Sequence, residues 1–183
     1  MRLTMVIVLA LAATAVPQLA AADETVCRGT IGGKTLDNVK VPKGKSCVLN
    51  GTKVKGTIKI NGGARLEAVN VNVIGNVQGE NARNVIVRKG SRVGGSVQIV
   101  QGKRAKVASA SIKGDILYDD QSGRVVVRSS SVGGNVQAFQ NDGGVHITGN
   151  VIDGNLQCKE NNPKPTGGDN KVKGNKEDQC KKL

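Results

Sequence analysis

The sequence predicts an all-β fold: a right-handed parallel β-helix (a solenoid) of about seven or eight coils of 19–20 residues, capped by disulfides. Three observations predict it. Glycines recur at Gly56, Gly75, Gly95, Gly114, Gly134, Gly154 and Gly174, in steps of 19 or 20 residues. Around each of them apolar residues alternate with polar ones at a period of two, which is the period of a strand. The chain also has 25 glycines but one Phe, one Tyr and no Trp, which suits a narrow prism filled by Val, Ile and Leu with tight corners.

Each coil has the same parts. Two residues before the glycine stands Val54, Val73, Val93, Ile112, Val132, Ile152 or Val172, and two residues after it Ile58, Val77, Val97, Ile116, Val136 or Leu156. Ahead of these comes an alternating pair: Cys47/Leu49, Leu66/Ala68, Ala105/Val107, Val125/Val127 or Val145/Ile147. Val85/Val87 is displaced by one residue, which a bulge or a longer corner absorbs. Segments this short cannot pair within one coil. They pair with the same segment one coil on, ~4.8 Å away, so the rod is roughly 35 Å tall. Left-handed β-helices are generally built of hexapeptides. Steps of 19 and 20 do not divide by six, which favours the right-handed form.

Residues 1–22 read as a cleaved signal peptide. Arg2 is the basic start, Met5 to Val16 the apolar run, and Ala20-Ala21-Ala22 the small residues at the cleavage point. The run is shorter than the ~20 residues a membrane span needs, and no second one follows. The expected product is a secreted, extracellular protein with a single β-helix domain over 23–183, of which 158–183 form a disulfide-closed cap. Its four cysteines read as two disulfides. Cys27 lies 20 residues, one coil, before Cys47, and stacked residues fall within disulfide reach. The expected pairs are therefore Cys27–Cys47 and Cys158–Cys180. Other connectivities require the two ends of the rod to meet. With no C-x-x-C motif and His146 as the only histidine, no metal and no cofactor is expected.

Without Arg2, the 27 basic residues fall by one and the charge is +12 against 14 acids. It is concentrated early. Asn38 to Gly114 carries fifteen Lys or Arg with only Glu67 and Glu80 as acids, and the rest of the mature chain is near neutral. Arg65, Arg104 and Arg124 lie ten residues before their glycines, with Arg83 nearby in the displaced coil, so they are expected along one edge. Lys103 and Lys106 thicken it, and Lys43, Lys45, Lys53, Lys55 and Lys59 lie on the first coils. A one-sided positive field attracts polyanions, although basic residues also serve simply as a solvated surface. An acidic polysaccharide or envelope polymer, such as a teichoic acid, fits better than nucleic acid. The aromatic platform for stacked bases is missing, and so is any sequence-specific DNA-binding motif.

Polar residues recur as well. Thr57, Asn76, Ser96, Asp115, Asn135, Asn155 and Asn175 follow the glycines, and Lys59, Gln78, Gln98, Leu117, Gln137 and Gln157 come two residues later. Stacked amides can hydrogen-bond along the column, or present a flat polar face to a glycan. Enzyme chemistry has little to work with. Asp119-Asp120 falls in an expected corner with no facing carboxylate. Ser129-Ser130-Ser131 has no nearby base, and His146 stands alone as a surface strand residue. The threonines do not recur at one coil position, which removes an ice-binding array. Asn50-Gly51-Thr52 is a glycosylation sequon if the source is eukaryotic.

The runs Val132-Gly133-Gly134-Asn135-Val136-Gln137, Asp153-Gly154-Asn155-Leu156-Gln157-Cys158 and Gly174-Asn175-Lys176-Glu177-Asp178-Gln179-Cys180 resemble those of small secreted bacterial proteins, especially actinobacterial ones. These carry repeated GGNVQ units, two cysteines near each end and a signal peptide. The resemblance covers nearly the whole mature chain. It implies a β-helix and brings no active site with it; the many Lys and Arg depart from the pattern. The expected function is a non-catalytic, monomeric secreted protein that binds an acidic polymer or serves as a surface component. The alternatives are a small effector or elicitor acting on another organism, and a polysaccharide-active enzyme.

Overall fold

The computed structural model describes residues 23–183, so the expected signal peptide lies outside the described residues. The chain winds as a parallel β-solenoid of about eight turns, with 25 strands in three sheets. Each turn contributes one strand to each sheet. The turn around Gly134 is typical: Val125–Arg128 lies in the second sheet, Ser131–Val132 in the third and Val136–Phe139 in the first. All pairings are parallel and join neighbouring turns, as period-two segments without an internal partner require.

The inward residues form a continuous apolar column. Val54, Val73, Val93, Ile112, Val132 and Ile152 line the third sheet, and Ile58, Val77, Val97, Ile116, Val136 and Leu156 the first; all are essentially inaccessible. The second sheet adds pairs such as Leu66/Ala68, Val85/Val87 and Ala105/Val107. The displacement of Val85/Val87 disappears in the fold, since Val85 pairs in register with Leu66 and Ala105. The extra residue sits in the following corner, where Lys89 and Gly90 both have positive φ (55° and 78°) while the neighbouring corners have one such residue, Asn70 or Ser109.

The landmark glycines stack at the corner between the third and first sheets. Each donates its N–H to the carbonyl of the glycine one turn earlier, from Gly75 to Gly56 (3.0 Å) through Gly174 to Gly154 (3.1 Å). Their role is close approach. A Cβ on Gly75 would lie 2.6 Å from the Gly56 oxygen, and this backbone is not left-handed. The next residue in each turn completes the corner. Asn76 Oδ1 accepts the Ser96 N–H (2.8 Å), Asn135 Oδ1 that of Asn155 (2.8 Å), and Asn155 Oδ1 that of Asn175 (2.8 Å). This ladder is half-buried and runs from side chain to backbone, rather than amide to amide on the outside.

The other two corners carry polar residues in the interior, which the alternation pattern did not reveal. Asn141 is fully buried: its Oδ1 accepts the Gln121 N–H (3.0 Å), and its Nδ2 donates to the Tyr118 carbonyl (3.1 Å) and to Asn161 Oδ1 (2.8 Å). Asn161 passes the pattern on to Gln179. At the corner between the second and third sheets, Asn150 serves Ser130 and Val127 in the same way and leans on Asn170. The residue ahead of each buried amide has a left-handed backbone: Gln140, Gly149, Glu160 and Asp169.

Disulfides close both ends. Cys27 is joined to Cys47 with a Cα–Cα distance of 5.5 Å, and Cys158 to Cys180 with 5.2 Å. The geometry of the first differs from simple stacking. Gly29, not Cys27, is in register with Cys47, while the Cys27 N–H bonds to the Lys40 carbonyl. The bridge therefore ties the end of the first-sheet strand Glu24–Val26 to the second-sheet strand Ser46–Asn50. At the other end Cys180 sits in a terminal turn that also tucks Leu183 against the core.

Candidate polyanion-binding site

The site is built on the outer side of the second sheet, because alternation turns every other residue of its strands to the surface. Three outward columns result. The first runs Ser46, Arg65, Asn84, Arg104, and then Arg124, the residue ahead of the Ala105–Val125 pair. The second runs Val48, Glu67, Ile86, Lys106, Val126 and His146. The third runs Asn50, Val69, Arg88, Ala108, Arg128 and Thr148. Six cations thus share one face with one acid, Glu67. Arg88 gives Nε (2.8 Å) and Nη2 to a single Glu67 oxygen, one turn away. Apolar Val48, Ile86 and Val126 are only partly covered and form the floor between the cationic side chains.

The fold sorts the basic residues singled out in the sequence. Arg65, Arg104, Lys106 and Arg124 come together on this face. Arg83 does not join the arginine column, because the register puts Asn84 opposite Arg65 and Arg104. Arg83 and Lys103 stay at the corner entering the second sheet, where Arg83 N–H bonds to the Ala64 carbonyl (2.8 Å) and Lys103 N–H to the Ala82 carbonyl (2.9 Å). Lys43 and Lys45 occupy the same corner in an earlier turn, flanking Gly44. Lys53 and Lys55 belong to the third side, where Lys55 pairs with Asp37 at 3.0 Å. Lys59 is on the first sheet, opposite Lys40 and Gln78. The face also includes Arg88 and Arg128, which counting from the glycines passes over. Both follow an apolar pair directly, after Val87 and Val127, and counting from those pairs finds them.

The first sheet presents a different surface. Gln78 Nε2 donates to Gln98 Oε1 (3.2 Å), Gln137 to Gln157 (2.8 Å) and Gln157 to Glu177 (2.8 Å), with Leu117 interrupting the column. A shallow concavity of about 880 Å³ lies beside Lys43, Lys59, Asn61, Gln78, Glu80 and Gln98. Its charges are mixed, so it has no single-sign field.

Asp120 is a left-handed corner residue (φ 54°), and Asp119 lies between Val100 and Phe139 with no carboxylate opposite on either neighbouring turn. Ser130 is buried; its hydroxyl accepts the Ala110 N–H (3.3 Å) and donates to the Arg128 carbonyl (2.8 Å). His146 Nδ1 meets Thr166 Oγ1 at 3.1 Å on the sheet exterior. Thr52 of the sequon is buried, donating to the Ile31 and Gly32 carbonyls, while Asn50 is exposed. Among the described residues no three His, Cys, Asp or Glu cluster as metal ligands, and no helix is long and apolar enough to cross a membrane.

The chain matches no protein-family model, no curated protein and no solved structure.

Proposed function

We propose that this chain is a secreted, non-catalytic β-solenoid that binds an acidic polysaccharide or envelope polymer along the outer side of its second sheet. One observation carries the reading: six cations, Arg65, Arg88, Arg104, Lys106, Arg124 and Arg128, share that face with Glu67 alone. Rungs ~4.8 Å apart offer a linear polyanion one register of contacts after another. Each exposed contact is weak, and their sum depends on ionic strength because exposed charges are screened beyond ~10 Å at 0.1 M salt. Arginine suits the task, since its planar fork meets carboxylate, sulfate and phosphate oxygens with two donors at once. The two disulfides are compatible with an extracellular, oxidising location.

The test is an array of uronate, sulfated and phosphodiester glycans probed at low and high salt, with neutral glycans beside them. The reading predicts retention on anionic members at low salt and its loss at high salt. No retention on any anionic member, or retention unchanged by salt, contradicts it.

A further inference from the structure

Within the basic face one position differs from all others. In the third outward column, Ala108 lies between Arg88 one turn before and Arg128 one turn after. It is the only small residue in that column flanked by two cations. Ala108 is well covered (4% exposed) yet does not belong to the apolar core, so its methyl is the floor of a notch on the outside. The notch measures about 240 Å³ and is lined by Arg88, Lys89, Lys106 and Arg128 around Ile86 and Ala108. Its position follows from two local irregularities. Lys89 reaches it from the corner after Val87, which has one residue more than the neighbouring corners between the second and third sheets and where Lys89 and Gly90 are both left-handed. Glu67 holds the guanidinium of Arg88 beside it.

We infer that this notch is a specific subsite for a tetrahedral oxyanion, a sulfate or phosphate ester carried by the polymer, and not for a carboxylate. The inference rests on the polyanion reading above and deepens it. Arg88 is partly neutralised by Glu67, while Lys89, Lys106 and Arg128 have no ion-pair partner among the described residues. Three uncompensated cations converge on a space bounded by arginines two rungs, or about 9.6 Å, apart. A carboxylate, like a phosphodiester, has two oxygens for these donors, whereas a sulfate or phosphate monoester offers three terminal oxygens. Arg124 lines only a smaller cavity of about 110 Å³ beside His146 and Lys164.

The experiment uses the full mature chain. Backbone amide shifts of Lys89, Ala108 and Ser109 are followed by NMR against sodium sulfate, sodium phosphate and sodium acetate at constant ionic strength. Retention on a sulfated, a phosphorylated and a purely carboxylated polymer is measured alongside. Ala108→Met fills the notch without altering charge; Lys113→Gln and Lys171→Gln change charge on the third side, away from it. Sulfate or phosphate is expected to shift these amides saturably, with acetate doing little. Ala108→Met is expected to weaken that binding roughly tenfold, the loss of one charge-assisted hydrogen bond, while the distant variants leave it unchanged. Which of the two tetrahedral polymers is retained longer identifies the ester. Should Ala108→Met not fold, Lys106→Gln with Arg128→Gln takes its place. Equal response to acetate, small shifts spread over all surface cations, or wild-type binding by the filled notch overturns the inference. If the polymers are still retained in that case, the general basic face survives; if none is retained, the polyanion reading itself fails.

Discussion

Gly75 shows at the scale of single residues why the period is so strict. A methyl there would meet the Gly56 oxygen at 2.6 Å and Thr57 Oγ1 at 2.8 Å, so Gly75→Ala must push two turns apart. It is expected to cost about 1–3 kcal/mol in urea denaturation, the usual range for overpacking. The two kinds of polar ladder differ in depth and hence in worth. Asn141→Ala strands the Gln121 N–H in the interior and is expected to cost about 2–3 kcal/mol, whereas Asn135→Ala exposes one half-buried N–H and costs about 1 kcal/mol. Tyr118 is the single tyrosine, and its buried hydroxyl has no hydrogen-bond partner. Tyr118→Phe is expected to leave stability unchanged or raise it by about 1 kcal/mol. Burial pushes the Tyr118 hydroxyl above its ordinary range. The folded chain keeps that proton where the unfolded chain loses it, so stability is intact below about pH 10 and falls as pH rises beyond it. Tyrosinate absorbance should then appear together with loss of the β-sheet circular dichroism signal; ionisation of an intact fold would contradict this. None of these interior polar roles is legible in the sequence, because Asn in a corner reads first as a turn residue. The signal present is positional: Asn141 and Asn161 recur one coil apart, as do Asn150 and Asn170.

At the scale of strands and turns, the architecture follows from the sequence because alternation and period act together. Period two puts half of each strand inside, and the 19–20 residue step leaves the next turn as the only partner in reach. Register is harder to read. Counting ten residues back from the glycine groups Arg65, Arg104 and Arg124 but lands on the inward Val85 in the turn of Gly95, because the corner after Val87 has one residue more than its neighbours; Arg83, the nearest arginine, lies outside the column. Counting from the nearest apolar pair puts Asn84 in the column, and recovers Arg88 and Arg128 in another. Distances along the chain are conserved within a strand and not across a corner, where an extra residue is absorbed at little cost. The terminal turns hold their neighbours from one side only, and the bridges compensate. Replacing Cys27 and Cys47, or Cys158 and Cys180, by serine is expected to remove about 3 kcal/mol per pair, from loops of 20 and 22 residues. Hydrogen exchange should show the loss first in the turn beside the removed bridge, since a stack of repeats opens from its ends.

For the whole molecule, one face of the prism concentrates charge that the sequence distributes over several coils. The fold takes fifteen early cations and sends some to each side, yet the second sheet receives arginines on successive turns with only Glu67 among them. The third side offsets Lys55 with Asp37 and Lys173 with Asp153, and the outward column of the first runs from lysine through glutamine to Glu177. A field of this kind depends on placement as well as on net charge, and placement can be tested separately. The decisive measurement compares two variants of equal net charge on an immobilised anionic polymer across a salt gradient. In one, Arg104, Lys106, Arg124 and Arg128 become Gln; in the other, Lys53, Lys113, Lys171 and Lys181, all away from the second sheet, become Gln. The account predicts that the first variant elutes at much lower salt than the wild type and the second close to it. Equal elution of the two variants would contradict it, because net charge alone would then explain retention.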